Sequence, residues 1–312
     1  MQSERCSEFS SQTTALEVAN GHDLSNRTAI VTGGAGGLGT ETARALASAG
    51  AQVVLAVRDA AAGGRVAQQL RAEWGVAASA EVLDLASFAS IRTFAERWGN
   101  RPLHLLINNA GVMGGPLAYT ADGLEKHIGV NHFGHFLLTT LLVPALERAG
   151  PSRVVQLTSG GHRPWPVDFD DMHFRTQAYA LFAAYGRSKA ANVMFAVGFQ
   201  KRFGPRGITA NAVMPGVIRT ELMRDLSTEE STFLFSRVAG LPMKTPQQGA
   251  ATSVWAAVAD ELEGVGGLCL EDCAVAKPAQ DDSSSGSVAA HVLDPERADR
   301  LWSVSERTTG IA

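Results

Sequence analysis

Residues 28–39, TAIVTGGAGGLG, constrain this chain more than any other stretch. A short apolar run, Ala29, Ile30 and Val31, leads directly into a cluster of glycines. After the glycines, residues 40–49 (TETARALASA) read as a helix. Strand, glycine-rich turn and helix in that order make a cradle for phosphate groups. The first-turn N–H groups of the helix have no partner within it, and its dipole favours negative charge there. Gly33 permits the tight turn, Gly37 lets backbone approach a pyrophosphate, and Gly39 lets the helix lie close on the strand. The spacing is T-G-x-x-x-G-x-G, not G-x-G-x-x-G. Taken alone, the run also fits an ordinary loop.

The 312 residues are 45% hydrophobic and 19% charged, enough for one large core. The net charge of −4 points to neither nucleic acid nor an anionic membrane as partner. No uninterrupted apolar run reaches the ~18 residues of a membrane span. Residues 1–24 are polar and aperiodic, lack the apolar core of a secretory signal, and are expected to form a flexible leader. The cysteines, Cys6, Cys269 and Cys273, are odd in number and lack a disulfide framework, which suggests reduced thiols and a cytoplasmic protein. Cys269-x-x-x-Cys273 has no second pair to complete a zinc site, and His132 with His135 has no third ligand, so no metal is expected.

Strands are expected at 28–32, 52–57, 78–84, 103–108, 153–158, 207–213 and about 266–270. Helices are expected at 38–49, 60–74, 87–98, 122–148 and 183–203, with helical patches near 221–238 and 246–259. A closing helix is expected at 295–305, after a loop at 281–287. The runs 103–108 and 153–158 are apolar almost throughout, as in a parallel sheet buried on both faces. Strands alternating with helices imply a single-domain, Rossmann-type doubly wound α/β fold spanning residues 25–312.

Four further stretches carry chemistry. Asn108-Asn109-Ala110-Gly111 ends the fourth strand, on the edge where open α/β sheets place ligands, although Asn and Gly also suit a plain turn. Asn131 sits inside a long helix, where Asn is mildly unfavourable unless exposed or engaged. Ser159 ends the fifth strand. Tyr185 and Lys189 are four apart and share a helix face. An ammonium beside a phenol stabilises the phenolate and fits the pair for proton transfer, although Tyr-x-x-x-Lys alone is also a common surface contact.

Taken in order, T-G-x-x-x-G-x-G, N-N-A-G, Asn131, Ser159, Tyr185-x-x-x-Lys189 and Pro215-Gly216 resemble the short-chain dehydrogenase/reductase family over about residues 26–271. VNHFGHFLLT, Arg58-Asp59 and the long segment before Tyr185 are similar to its retinol-dehydrogenase-like bacterial branch. The resemblance implies a nicotinamide cofactor with Gly33, Gly37 and Gly39 at the pyrophosphate and Leu38 at the helix start. It implies Asp84 and Leu85 at the adenine, with Asn109, Ala110 and Gly111 along the adenine ribose. Tyr185 would be the acid/base, Ser159 would hydrogen-bond the reacting oxygen, and Lys189 would bind the nicotinamide ribose. Asn131 would hold a relay water. Pro215, Gly216 and Val217 would flank the nicotinamide, with Thr220 at its carboxamide. Segments 160–182 and 217–245 would cap an apolar alcohol, ketone or aldehyde. Within them Trp165, Phe169, Met172 and Phe174 are either a substrate wall or loop anchors. The two long helices, 122–148 and 183–203, would pair in a homodimer or homotetramer.

NADP(H) is expected over NAD(H). The slot about 20 residues past the glycines, where an acid would grip a ribose 2′-hydroxyl, holds Val57, and Arg58 follows it. A guanidinium there suits a 2′-phosphate. Thr40, where relatives carry Lys, removes a supporting charge. Two other readings stay open: a non-catalytic NADP-binding regulatory module on the same fold, which would commonly lack the Tyr or the Lys, and a sugar-nucleotide epimerase, which would need different glycine spacing and a larger carboxyl-terminal domain.

Overall fold

The computed structural model describes residues 7–279 and 287–311. Eight strands form one sheet: β1 (Thr28–Thr32), β2 (Gln52–Val57), β3 (Ala78–Val82), β4 (Leu105–Asn108), β5 (Ser152–Leu157), β6 (Ile208–Met214), β7 (Cys269–Glu271) and β8 (Ala274–Val275). Their order is β8-β7-β6-β5-β4-β1-β2-β3. Only the β7–β8 hairpin is antiparallel. Ile30 of β1 pairs with Val54 on one side and Leu106 on the other, so β1 lies at the centre and the strand order reverses between β1 and β4. A crevice opens at such a reversal, above the carboxyl ends of the strands.

Alternate residues of each strand feed opposite layers, because successive side chains point to opposite faces. Ala29, Val31, Val53 and Leu55 join one buried cluster, and Ile30, Val54 and Leu106 join the other. The first layer is built by α2 (Gly37–Ser48), α3 (Ala60–Trp74) and α8 (Ala251–Val258), and the second by α4 (Phe88–Trp98), α5 (Lys126–Arg148), α6 (Leu181–Phe203) and α9 (Pro295–Thr309). A further helix, α7 (Thr228–Arg237), has no buried residue of its own.

The expected elements recur, joined by an eighth strand, β8, that was not expected, and with four further differences. The leader is not without structure from residue 7 onward. Ala15–Ala19 form a helix, α1, closed by reciprocal hydrogen bonds between Thr14 and Glu17. Its Val18 is fully buried in the α2/α3/α8 layer. The apolar payload is only Ala15, Val18 and Ala19, too short a pattern to stand out from polar neighbours.

The second difference is in α5. Its middle, Gly129–Gly134, is a π-helical turn, which a periodicity reading cannot register. The whole helix is long and apolar enough to cross a membrane, unlike the expectation from uninterrupted runs, but 83% of its most apolar window is buried inside the protein as a core helix.

The third concerns pairing. The aromatic side of α6, one of the two long helices expected to pair between copies, is covered within the chain: Trp302 of α9 stacks on Phe195 at 6.0 Å and packs against Phe199 and Phe203. The fourth lies at the carboxyl-terminal end. Of the loop expected at 281–287, only Ser287 is among the described residues, in a short strand with Val288; α9 then runs four residues past the expected end, to Thr309.

Candidate functional site

The glycine turn joins β1 to α2. Gly33 and Gly37 have φ of +67° and +52°, a backbone region that favours glycine. At Gly39 a Cβ would lie 2.4 Å from the Gly33 carbonyl oxygen, so only glycine fits. Gly36 is the N-cap of α2 and supplies no side chain to the first-turn N–H groups. A Cβ placed there meets nothing within 4 Å, so the space before the helix is open. An anion fits such an end. Leu38 is half-buried and packs toward Gly249.

Asn109 and Ala110 brace this turn from β4. The Asn109 amide donates to the Thr32 carbonyl at 2.7 Å, and the Thr32 hydroxyl accepts from Ala110 N at 2.9 Å. Gly111 leaves room for Asn131 and Lys189, whose polar atoms would stand 3.4–3.5 Å from a Cβ there. Asp84 ends just beyond β3, and one of its carboxylate oxygens accepts from Ala86 N. Leu85 is buried against Gly134. Pro215, Gly216 and Val217 follow β6. The Lys244 stem lies so close over Gly216, which has φ of +94°, that a Cβ would meet it at 2.9 Å. The Thr220 methyl reaches toward Gly37, at 3.7 Å from a Cβ there, and thus closes the far side of the turn.

Arg58 and Asp59 part ways. The Asp59 carboxylate caps α3, accepting from Ala61 N at 2.9 Å and Ala62 N at 3.0 Å. Arg58 is exposed.

Ser159, Tyr185 and Lys189 converge beside the carboxyl end of β5. Tyr185 and Lys189 project from one face of α6, with the Lys189 ammonium 5.7 Å from the phenol ring centroid. Burial pushes the Tyr185 phenol up, and a hydrogen bond with the Ser159 side chain pulls it back down. Burial lowers Lys189 to about 8, and its Nζ donates to the Leu157 carbonyl at 3.2 Å. Gly161 comes so near that a Cβ would touch Tyr185 at 3.5 Å. Asn131 lies in the π turn with its side chain fully engaged. Its Oδ1 accepts from Val112 N at 2.8 Å, and its Nδ2 donates to the Val112 carbonyl and the Ser188 hydroxyl.

His132 and His135 are packing histidines. His132 bonds Ser305 at 2.8 Å, and His135 spans Thr32 and the Asn131 carbonyl. In the segment expected to cap the site, Met172 and Phe174 are buried, whereas Phe169 is partly buried against the core, contacts Arg297 and Arg300, and anchors the loop on α9. Asp171 ties this cap together. It accepts from the backbone N–H groups of Arg175, Thr176 and Gln177, which hold its carboxyl far below the usual range.

Three groups near the site were not singled out from the sequence. His162 holds the Ser159 carbonyl through Nδ1 at 2.7 Å and Ala289 N through Nε2, so the end of β5 is tied to the carboxyl-terminal segment. Lys244 is buried and ion-paired with Asp272. Glu125 and His127 form a buried pair one helical turn before Asn131. Only the last left a trace in the sequence, since His127 and Asn131 stand four apart and share a face.

Such a sheet, with a glycine turn at its switch point and a Ser, a Tyr and a Lys converging nearby, is the layout of a nicotinamide-dependent dehydrogenase. The chain belongs to the short chain dehydrogenase family, whose model matches residues 27–169 and 173–231. It is an oxidoreductase of CH–OH and C=O groups on the retinol-dehydrogenase-like branch of that family. It is 46% identical over 289 residues to a probable oxidoreductase of Streptomyces lividans, covering 90% of this chain and 96% of that one. It is 40% identical over 291 residues to human retinol dehydrogenase 12, covering 92% and 88%. Among solved structures it is similar to the Pseudomonas aeruginosa RhlG/NADP active-site complex, with TM-score 0.64, 28% identity and coverage of 80% and 95%.

Proposed function

We propose that this protein is an NADP(H)-preferring reductase or dehydrogenase of apolar alcohols, ketones or aldehydes, with Tyr185 as its acid/base. The carrying observation is the convergence of Ser159, Tyr185 and Lys189 at the carboxyl end of β5, opposite an open, uncapped helix end. A non-catalytic binding module would have no use for a buried phenol set between a serine and an ammonium.

A bound nicotinamide would supply or accept the hydride. Tyr185 donates a proton to the carbonyl oxygen in reduction and takes it back in oxidation. Ser159 holds that oxygen. Lys189 favours the phenolate and offers its ammonium to the ribose hydroxyls. Asn131 fixes Val112 and Ser188, and so sets Gly111 and Lys189 in register. The exposed Trp165, with the buried Met172 and Phe174 and the lid α7, favours an apolar substrate. Cys269 and Cys273 are free and buried, which suits a reducing cytoplasm.

Cofactor preference rests on the parting of Arg58 and Asp59. With its carboxylate committed to the α3 cap, Asp59 is held away from a ribose 2′-hydroxyl, and the exposed Arg58 beside it can take a 2′-phosphate. The wild type should consume NADPH faster than NADH with apolar carbonyls. Arg58→Ala should weaken NADPH binding about tenfold or more, the scale of one lost charge-assisted contact of 1.5–3 kcal/mol, while leaving NADH nearly unchanged. A wild type that prefers NADH, or a variant with unchanged NADPH affinity, would refute the preference.

A further inference from the structure

The Glu125–His127 pair is the least explained polar feature beside the site. Both side chains are essentially without solvent exposure. Glu125 is fully occupied. One oxygen accepts from His127 Nδ1 at 2.7 Å and from His127 N at 3.0 Å, and the other accepts from Ile128 N at 3.0 Å. That arrangement assigns the proton to Nδ1 and leaves Nε2 with a bare lone pair. Nε2 is buried and has no hydrogen-bond partner. Leaving a buried polar atom unpaired costs about 1–3 kcal/mol, so an apolar residue would pack here more favourably.

What the imidazole touches gives it a use. Its ring meets the Tyr185 ring edge to face, with centroids 6.4 Å apart and planes at 86°. The Tyr179 hydroxyl of the cap comes within 3.5 Å of Nδ1. Glu125 N donates to His173 Nδ1 at 3.3 Å, which ties the pair to a second cap residue. The pair therefore joins the cap over the site to the ring of the acid/base. A carboxylate that orients an imidazole through Nδ1 is a well-tested way of fixing a ring in place.

We propose that Glu125 and His127 are positioning residues for Tyr185. His127 holds the phenol ring at the angle that aims its hydroxyl at Ser159, and Glu125 fixes the tautomer and tilt of His127. The role rests on the reading of Tyr185 as the acid/base, and it adds a path from cap to acid/base through Tyr179 and His173.

The chain contains only three tyrosines, Tyr119, Tyr179 and Tyr185, so the ionisation of one can be isolated. Phenolate absorbance of the full-length protein is titrated against pH, and the curve of Tyr185→Phe is subtracted to leave Tyr185 alone. The same difference is taken in His127→Asn, which keeps a donor for Glu125 but removes the ring edge. Glu125→Gln, of the same shape, carries the test if His127→Asn does not fold. NADPH affinity reports that the fold is intact. The Tyr185 midpoint should move down by about one pH unit in either variant as water reaches the phenol. kcat should fall between about ten- and a hundredfold with NADPH affinity unchanged. A folded variant whose Tyr185 midpoint and kcat match the wild type overturns the proposal. Because the titration needs no substrate, a wild type inactive on every carbonyl would count against the proposed function while leaving this test standing.

Discussion

At the scale of single residues, the site balances opposing effects of burial. Enclosure raises the Tyr185 phenol and lowers the Lys189 ammonium, and both shifts work against a charged phenolate–ammonium pair. The Ser159 hydrogen bond works the other way on the phenol. Because Lys189 titrates near about 8, its positive charge is present below that pH and is lost as pH rises through it. Tyr185→Phe should therefore fold and bind NADPH, yet lose at least about 10²–10⁴-fold in turnover, the usual worth of a general acid. Turnover and cofactor affinity of the purified variant check this. Turnover within a few-fold of wild type would reject the acid/base assignment.

At the scale of elements, the strand–turn–helix from β1 to α2 works because three glycines solve different problems. Gly33 and Gly37 take positive φ, and Gly39 lets two backbone segments approach. Gly39→Ala would place a methyl 2.4 Å from the Gly33 carbonyl oxygen, a clash with backbone that no rotamer relieves. The expected result is a loss of about 1–3 kcal/mol in stability, read by urea unfolding, together with loss of NADPH binding. A variant that binds NADPH like the wild type would show that the turn yields more than its geometry suggests. The cap behaves differently. Its order comes from Asp171 gathering three backbone N–H groups, and from Phe169 wedged between Arg297 and Arg300. Neither device has a periodicity, so both were invisible before the fold was known.

At the scale of the whole molecule, three histidines are stored neutral in the interior. Burial lowers His132 and His135 to about 3 and His162 to about 4. In the unfolded chain each takes up a proton near pH ~6.5, whereas in the fold it does not until far lower pH. Below about pH 6.5 the unfolded state thus binds more protons, and stability falls as pH falls. The slope is about 1.4 kcal/mol per pH unit for each histidine and roughly 4 kcal/mol for the three, until their folded pKa values are reached. Urea midpoints should be level between pH 7 and 8 and drop steeply from about pH 6 downward. A midpoint that stays level down to about pH 5 would mean that these imidazoles are hydrated or paired in the fold.

Much of this molecule is local physics and was legible in the chain. Strands β1 and β2 and helix α3 occupy their expected residues because apolar runs, a glycine cluster, the Asp59 cap and Gly75 mark their ends without help from elsewhere. Tyr185 and Lys189 share a face because helix geometry puts every fourth residue there. Arg58 and Asp59 could be named as rivals from their neighbouring places, but that the Asp59 carboxylate caps α3 while Arg58 stays exposed is seen only in the fold. The π turn that presents Asn131 to Val112, the coverage of α6 by α9, and the docking of α1 onto α8 all join residues far apart along the chain. So does the Glu125–His127 pair set against Tyr185. A hydrogen bond or a ring contact across such a separation has no signature in spacing, since its partner is chosen by packing and not by sequence distance.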